Sequence, residues 1–183
     1  MPKPRIIGGT AHARPIDTPR RGTRPSPSRL REALFDILAF HEPGPFLDLY
    51  SGSGAIGLEA ASRGWQATCV DLSREAAAVI ARNARNLGLQ VEVVRGDALA
   101  FAGNRDGFEV VFAAPPYPLD LEEIFTAILT AGPARSGGLY VFQHPSNLEL
   151  SIPGRLKRYG SNSLTMVDAA ATDQTSAGAP AVD

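Results

Sequence analysis

The chain has 183 residues, 44% hydrophobic and 20% charged, with a formal net charge of −1, a composition that suits one soluble globular domain around a single core. No apolar run approaches the roughly 20 residues of a membrane span, and the proline-rich, basic N-terminus lacks the apolar region of a secretory signal. Cys69 is the only cysteine, so an internal disulfide is excluded and the cytosol is the expected compartment.

The near-neutral total hides an asymmetry. Residues 1–31 hold eight basic residues against Asp17 alone, a net +7, so the remainder carries −8. A basic arm on an acidic body suits contact with a polyanion, against the plainer alternative of a solvated tail. The arm is rich in arginine rather than lysine, which favours bidentate phosphate contacts and stacking on bases.

In chain order, Arg5–Gly9 reads as a short strand ending in a turn, and residues 10–25 as an extended basic loop broken by Pro15, Pro19 and Pro25, with a further strand near Ile16. Ser26 or Ser28 is placed to cap a helix running to about Phe40, with Leu30, Ala33, Leu34, Ile37 and Leu38 as its apolar stripe. Arg29 and Arg31 lie off that stripe and are expected to face outward. Strands then alternate with helices. Pro45–Tyr50, Gln66–Asp71, Gln90–Arg95, Phe108–Ala113 and Gly137–Gln143 read as strands. Helices are expected to about Arg63, from the Ser73 cap to Leu87 before Gly88, for one short turn after Asp97, and over Leu119–Thr130. Two more strands, Arg155–Tyr159 and Ser163–Val167, pair through Gly160–Ser161. The all-apolar Phe108–Ala113 suits a central strand. This alternation predicts an open parallel sheet with helices on both faces. The polar tail from Ala169 onward reads as disordered.

The run FLDLYSGSGAIG, Phe46 to Gly57, carries the first chemical signal. Gly52, Gly54 and Gly57 fit the G-x-G-x-x-G spacing between a strand and a helix, where backbone can approach a ligand and a helix N-terminus can meet an anionic group. Asp71 ends the next strand, where a carboxylate can hold a ribose. Asp48, Asp71 and Asp97 lie at or near the carboxyl ends of the first three strands, where an open sheet places its ligand. Two cofactors fit: a dinucleotide, or S-adenosylmethionine with its amino-acid part at the glycine turn. A negative Asp48 is awkward beside pyrophosphate and helpful beside a cation, so the balance favours the sulfonium cofactor. Asp97 and the Ala98 backbone are positioned to read adenine. The second signal is the corner Pro115–Pro116–Tyr117. Two prolines fix the backbone direction after a buried strand, and Tyr117 offers a flat face for an unpaired base.

With these residues in view, RIIGG, TRPSPSRLREALFDIL, FLDLYSGSGAIGLEAASRGW and VVFAAPPYP together resemble the RsmD-type bacterial methyltransferases, over about residues 4–168. The resemblance implies a Rossmann-like class I methyltransferase with a mostly parallel seven-stranded sheet, helices on both faces and a basic N-terminal extension. It divides the chain into a basic arm (1–25), a methyltransferase domain (26–168) and a disordered tail (169–183). The implied activity is methyl transfer from S-adenosylmethionine to the exocyclic N2 of a guanine in small-subunit (16S) rRNA during ribosome assembly. Alternatives are an amino-methyltransferase on another RNA or DNA base and a non-catalytic, cofactor-binding assembly factor. The implied cofactor contacts are Asp48, Tyr50, Ser51, Gly52, Ser53, Gly54, Asp71, Leu72, Asp97 and Ala98. The catalytic corner is Ala114, Pro115, Pro116 and Tyr117, and RNA phosphates fall to Arg5, Arg20, Arg21, Arg24 and Arg29. The resemblance implies no metal, and the partner is small-subunit rRNA or its assembly intermediate, met by a cytoplasmic monomer. One position departs from the family: Ala114 stands where an Asp or Asn is usual, leaving only a main-chain carbonyl to hold the target amine.

Overall fold

A computed structural model describes residues 2–21 and 24–170. Its elements are α1 (Ser28–Leu38), β1 (Pro45–Leu49), α2 (Ala55–Ser62), β2 (Gln66–Asp71), α3 (Arg74–Leu87), β3 (Glu92–Arg95), α4 (Ala98–Asn104), β4 (Phe108–Ala113), α5 (Leu121–Ala131), β5 (Ala134–Pro145), β6 (Arg155–Tyr159) and β7 (Asn162–Asp168). They build one seven-stranded sheet in the order β3-β2-β1-β4-β5-β7-β6. β1 to β5 are mutually parallel, and β7 runs antiparallel between β5 and β6. The chain leaves β1 toward β2 on one side and reaches β4 on the other, so the topological switch point lies between β1 and β4.

The period-2 alternation of the central strands divides the core into two layers. Phe46, Ala67, Val110, Phe112, Leu139 and Val141 pack with Leu30, Leu34, Phe35 and Leu38 of α1 and with Ile56 and Ala60 of α2. Their neighbours Leu47, Leu49, Val70, Val111, Ala113, Tyr140 and Phe142 face α4 and α5. Phe125 of α5 stacks on Phe142 of β5 with ring centroids 4.4 Å apart.

The helix termini follow local chemistry. Ser73, Asp97 and Asp120 each accept an N–H from the first turn of α3, α4 and α5, and Gly88 ends α3 in the left-handed conformation. α1 is different. Pro27 occupies its N-cap position and no side chain caps it, so neither Ser26 nor Ser28 serves as expected. Ser26 instead donates to Gln143 at 2.7 Å. The larger shifts in element bounds are at β3, which begins at Glu92, α4, which extends to Asn104, α5, which begins at Leu121, and β5, which starts at Ala134, with a register irregularity between Phe108 and Val110 of its partner β4. The expected disorder of the tail falls almost wholly outside the described residues.

The N-terminal segment holds the largest difference from expectation. In place of two short strands, a single antiparallel bridge joins Arg5 to Pro15. The loop packs Ile6, Ala11 and Ile16 against Ala55 and Leu58 of α2 and Ala84 and Leu87 of α3. Glu59, fully buried on α2, is its anchor. The carboxylate accepts the Ile7 and Gly8 N–H groups at 2.8 and 2.9 Å, Arg63 Nε at 2.9 Å and Arg31 Nη1 at 3.4 Å. Arg31, expected to face outward, is therefore 1% exposed and paired. Its side chain also reaches the Arg5 and Ser26 carbonyls, at 3.1 and 3.2 Å. A buried guanidinium needs this full set of acceptors to offset its desolvation. That desolvation, against the favourable charge of Glu59, holds its pKa below the usual arginine value. Asn83 makes a second anchor on α3, accepting the Asp17 N–H and donating to the Asp17 carbonyl, both at 2.9 Å.

Candidate active site

The carboxyl ends of β1, β2 and β4 and the turns after them form the site. Ala114 N–H reaches the Leu49 carbonyl at 3.5 Å, tying the β4 corner to the end of β1. The glycine turn begins with Tyr50 at φ 59°. That left-handed conformation is unfavourable for a bulky residue and concentrates at functional turns. Gly54, at φ 79°, is the N-cap of α2, and a Cβ there would stand 2.9 Å from Ile80 Cγ1. Gly57 is required for a different reason: its Cβ would lie 2.2 Å from Cys69 Sγ and 3.2 Å from Asp48 Oδ2. The third glycine thus sets how closely α2 packs onto β1 and β2.

Asp48 is not on the crevice wall, contrary to the sequence expectation. It lies within β1, on the strand face that turns toward α2. It is 1% exposed, and its Oδ2 accepts the Gly57 N–H at 2.9 Å. Burial pushes its pKa from 3.8 up to about 7, with the charge of Asp71 adding to the rise and the Gly57 N–H opposing it. Asp48 braces the turn from beneath. Ser51 and Ser53 are also buried. Ser51 Oγ donates to the Asp48 and Val70 carbonyls, and Ser53 Oγ accepts the Ala55 N–H, so both hydroxyls shape the turn.

Of the remaining expected cofactor residues, Asp71 and Leu72 stand at the end of β2, and Asp97 and Ala98 follow β3. Asp71 is half-buried, with one oxygen accepting Gly52 N–H at 2.8 Å and the other Ser73 N–H at 2.9 Å. Each oxygen keeps further acceptor capacity. Leu72 beside it is 69% exposed, a large apolar side chain on the rim of a polar turn. Asp97 is exposed and caps α4 by accepting Ala100 N–H at 2.8 Å, while Ala98 is buried. Burial raises the Tyr50 hydroxyl pKa to about 12, and the charge of Asp97 adds to the rise. A carboxylate with spare acceptor capacity, an exposed apolar side chain, a left-handed tyrosine and a glycine turn at a helix N-terminus are the features an adenosine-type cofactor requires.

On the other side of the turn is the proline corner. Pro115 is buried, Pro116 exposed, and Tyr117 is 44% exposed. The Tyr117 hydroxyl donates to Asn162 Oδ1 at the β6–β7 hairpin and accepts from Gln143 Nε2 at 3.4 Å. The ring is thus held by its hydroxyl end while part of its surface stays open. Gln143 and Asn162 were not singled out from the sequence. The alternation of β5 did place Gln143 on the α1 side, and that was the available signal.

The expected phosphate contacts divide. Arg20, Arg21, Arg24 and Arg29 are exposed, with the Arg20 backbone N–H held by Glu75 Oε1 at 2.9 Å. Arg5 is exposed too, but its Nη1 donates to the Ala13 carbonyl at 2.7 Å and closes the N-terminal loop. Among the described residues no helix is long and apolar enough to cross a membrane.

The family model described as "Conserved hypothetical protein 95" matches residues 4–167. A Bacillus subtilis protein named putative rRNA methyltransferase YlbH is 31% identical over 157 residues, covering 80% of this chain and 85% of that protein. The Escherichia coli K12 ribosomal RNA small subunit methyltransferase D is 36% identical over 124 residues, covering 65% of this chain and 63% of that protein. Among solved structures, the Thermus thermophilus hypothetical protein TTHA0928 superposes with a TM-score of 0.84 at 44% identity, covering 89% of this chain and 98% of that one. The fold also matches a T. thermophilus 16S rRNA N2 G1207 methyltransferase solved with AdoMet and guanosine, at a TM-score of 0.70 and 16% identity, over 91% of this chain and 49% of that one.

Proposed function

This chain belongs to the RsmD-type family of class I, S-adenosylmethionine-dependent methyltransferases, and from that premise we propose that it methylates the exocyclic N2 of a guanine in small-subunit rRNA during ribosome assembly. The observation that carries the reading is the Tyr117 ring. It is held by its hydroxyl, partly open, and joined through the β4 corner to the glycine turn. A base stacked on it gains about 1–3 kcal/mol and lies at the same end of the sheet as the cofactor rim. The name of the Bacillus subtilis relative supports an rRNA substrate, and that of the Escherichia coli relative supports the small subunit.

In this reading Asp71 accepts from the ribose hydroxyls, Leu72 packs on the adenine, Asp97 and Ala98 meet its edge, and the glycine turn holds the amino-acid part. The cofactor supplies a methyl already activated on a sulfonium. The protein's contribution is then chiefly proximity and orientation. Pro115 and Pro116 fix the backbone direction, Tyr117 stacks the base, and the Ala114 carbonyl accepts from the target amine. Arg20, Arg21, Arg24 and Arg29 hold phosphates of the surrounding RNA. The protein acts as a cytoplasmic monomer on the rRNA or its assembly intermediate.

The test is mass spectrometry of rRNA from a deletion strain. Loss of one N2-methylguanine from the small subunit is expected, and an unchanged pattern refutes the reading. Ala114 favours one second reading, a cofactor-binding assembly factor without catalysis. Purified protein that is inert on immature subunits, with Ala114→Asp active, would select it.

A further inference from the structure

The last β4–β5 pair is Ala113 with Phe142, so Ala114 and Gln143 stand side by side one step beyond it. Strand alternation fixes their direction. Phe112 and Val141 face the α1 layer, Ala113 and Phe142 face the α5 layer, and Ala114 packs on the α1 side again. Gln143 shares that face. It is 6% exposed, and a buried amide must be hydrogen-bonded. Its Oε1 accepts from Ser26 Oγ at 2.7 Å, and its Nε2 donates to the Tyr117 hydroxyl at 3.4 Å. One amide therefore links the loop before α1, the end of β5 and the stacking ring. Its carbonyl oxygen has two lone pairs, of which Ser26 uses one.

We propose that Gln143 is the side-chain acceptor for one N–H of the target amine, beside the Ala114 main-chain carbonyl that accepts the other. The inference rests on the reading of the chain as a base amino-methyltransferase. The lone pair of an exocyclic amine is delocalised into its base. An acceptor on its N–H fixes the direction of the nitrogen and raises its electron density. Residue 114 offers only a main-chain carbonyl. The polar side chain beside it, on the same face and immobilised from both ends, is Gln143. The base stacks on a ring that Asn162 and Gln143 hold together, so loss of the amide leaves the stack in place and removes the acceptor from the amine. In the transfer, the nitrogen's electron pair forms the bond to the methyl carbon while the carbon–sulfur pair stays on sulfur. The methylated nitrogen then loses one proton to water. Gln143 orients and does not take that proton, because an amide is no base.

The experiment measures tritiated methyl transfer by the purified full chain to small subunits from the deletion strain, with subunit affinity by filter binding and thermal melting alongside. Gln143→Leu is expected to lower kcat about tenfold or more, with KM and subunit affinity within about threefold of wild type. Gln143→Glu keeps acceptor oxygens but has no N–H for the Tyr117 hydroxyl, and should retain several-fold more kcat than Gln143→Leu. Adding Ala114→Asn to Gln143→Leu returns an acceptor to the neighbouring position and should recover most of the missing activity. A merely structural role for Gln143 would lower the melting temperature and would not be repaired from residue 114. Wild-type kcat in Gln143→Leu, or no recovery in the double variant, overturns the proposal. A wild-type protein that transfers no methyl removes the parent reading and this one with it, whereas an active wild type matched by Gln143→Leu removes this one alone.

Discussion

Replacing Glu59 by alanine tests how the basic segment is held. The carboxylate is fully buried and accepts four hydrogen bonds, two from backbone N–H groups of the N-terminal loop and two from arginines. Removing it leaves Arg31, 1% exposed, as a buried charge without its counterion. Breaking a buried pair this way costs about 3–5 kcal/mol. The Ile7 and Gly8 N–H groups lose their acceptor as well, at about 1–3 kcal/mol each if they stay buried. These terms are not additive, because the loop can lift and let water in. A loss of about 4–6 kcal/mol is expected, a large part of the roughly 5–15 kcal/mol that holds a typical domain together. Arg31→Met should cost less, about 1–2 kcal/mol, because Glu59 keeps Arg63 and both N–H donors. Urea unfolding with unchanged slope gives the stability, and hydrogen exchange at residues 6–16 reports whether the loop opens first. A Glu59→Ala loss below about 1 kcal/mol, or loop amides protected as in wild type, would refute the assignment of Glu59 as the anchor.

Three further outcomes follow from other parts of the structure. Asp48 has a folded pKa raised to about 7, so its contribution is fully present below its unfolded pKa near 4 and is lost as pH rises through 7. The roughly three-unit difference corresponds to about 4 kcal/mol, and Asp48→Asn should flatten the decline in stability between about pH 4 and pH 8, seen by denaturant midpoints at each pH. Gly57→Ala drives a Cβ into Cys69 Sγ and should destabilise by about 1–3 kcal/mol, with Cys69→Ala in the same chain recovering most of it; a double variant no more stable than the single would show the clash lies elsewhere. Neutralising Arg20, Arg21 and Arg24 should weaken rRNA binding and flatten the log–log salt dependence by about one unit for each phosphate no longer neutralised, whereas an unchanged slope would move the RNA interface off this segment.

The order of elements was legible because it rests on local rules. Alternating apolar runs, the Ser73 cap and the Gly88 stop follow from periodicity and backbone chemistry within a few residues. The glycine turn and the proline corner were legible for the same reason, since both are contiguous in sequence. The alternation of β1 also held the clue to Asp48: a residue between Leu47 and Leu49, which face α4 and α5, must face α2. Reading it as a residue at the strand end placed it in the crevice instead.

What the sequence determined by itself was the βα frame, the two contiguous motifs at its carboxyl edge and the excess of arginine before α1. Tertiary structure decided which polar groups meet across distance in the chain. Ser26 and Gln143 are 117 residues apart, Tyr117 and Asn162 are 45 apart, and no spacing rule joins them. Arg31 shows the physical reason. Helical periodicity put it off the apolar stripe of α1, yet Glu59, 28 residues later, supplies the acceptor that lets a guanidinium be buried. Burial of a polar group depends on its partner, and the partner becomes known only when the chain is folded.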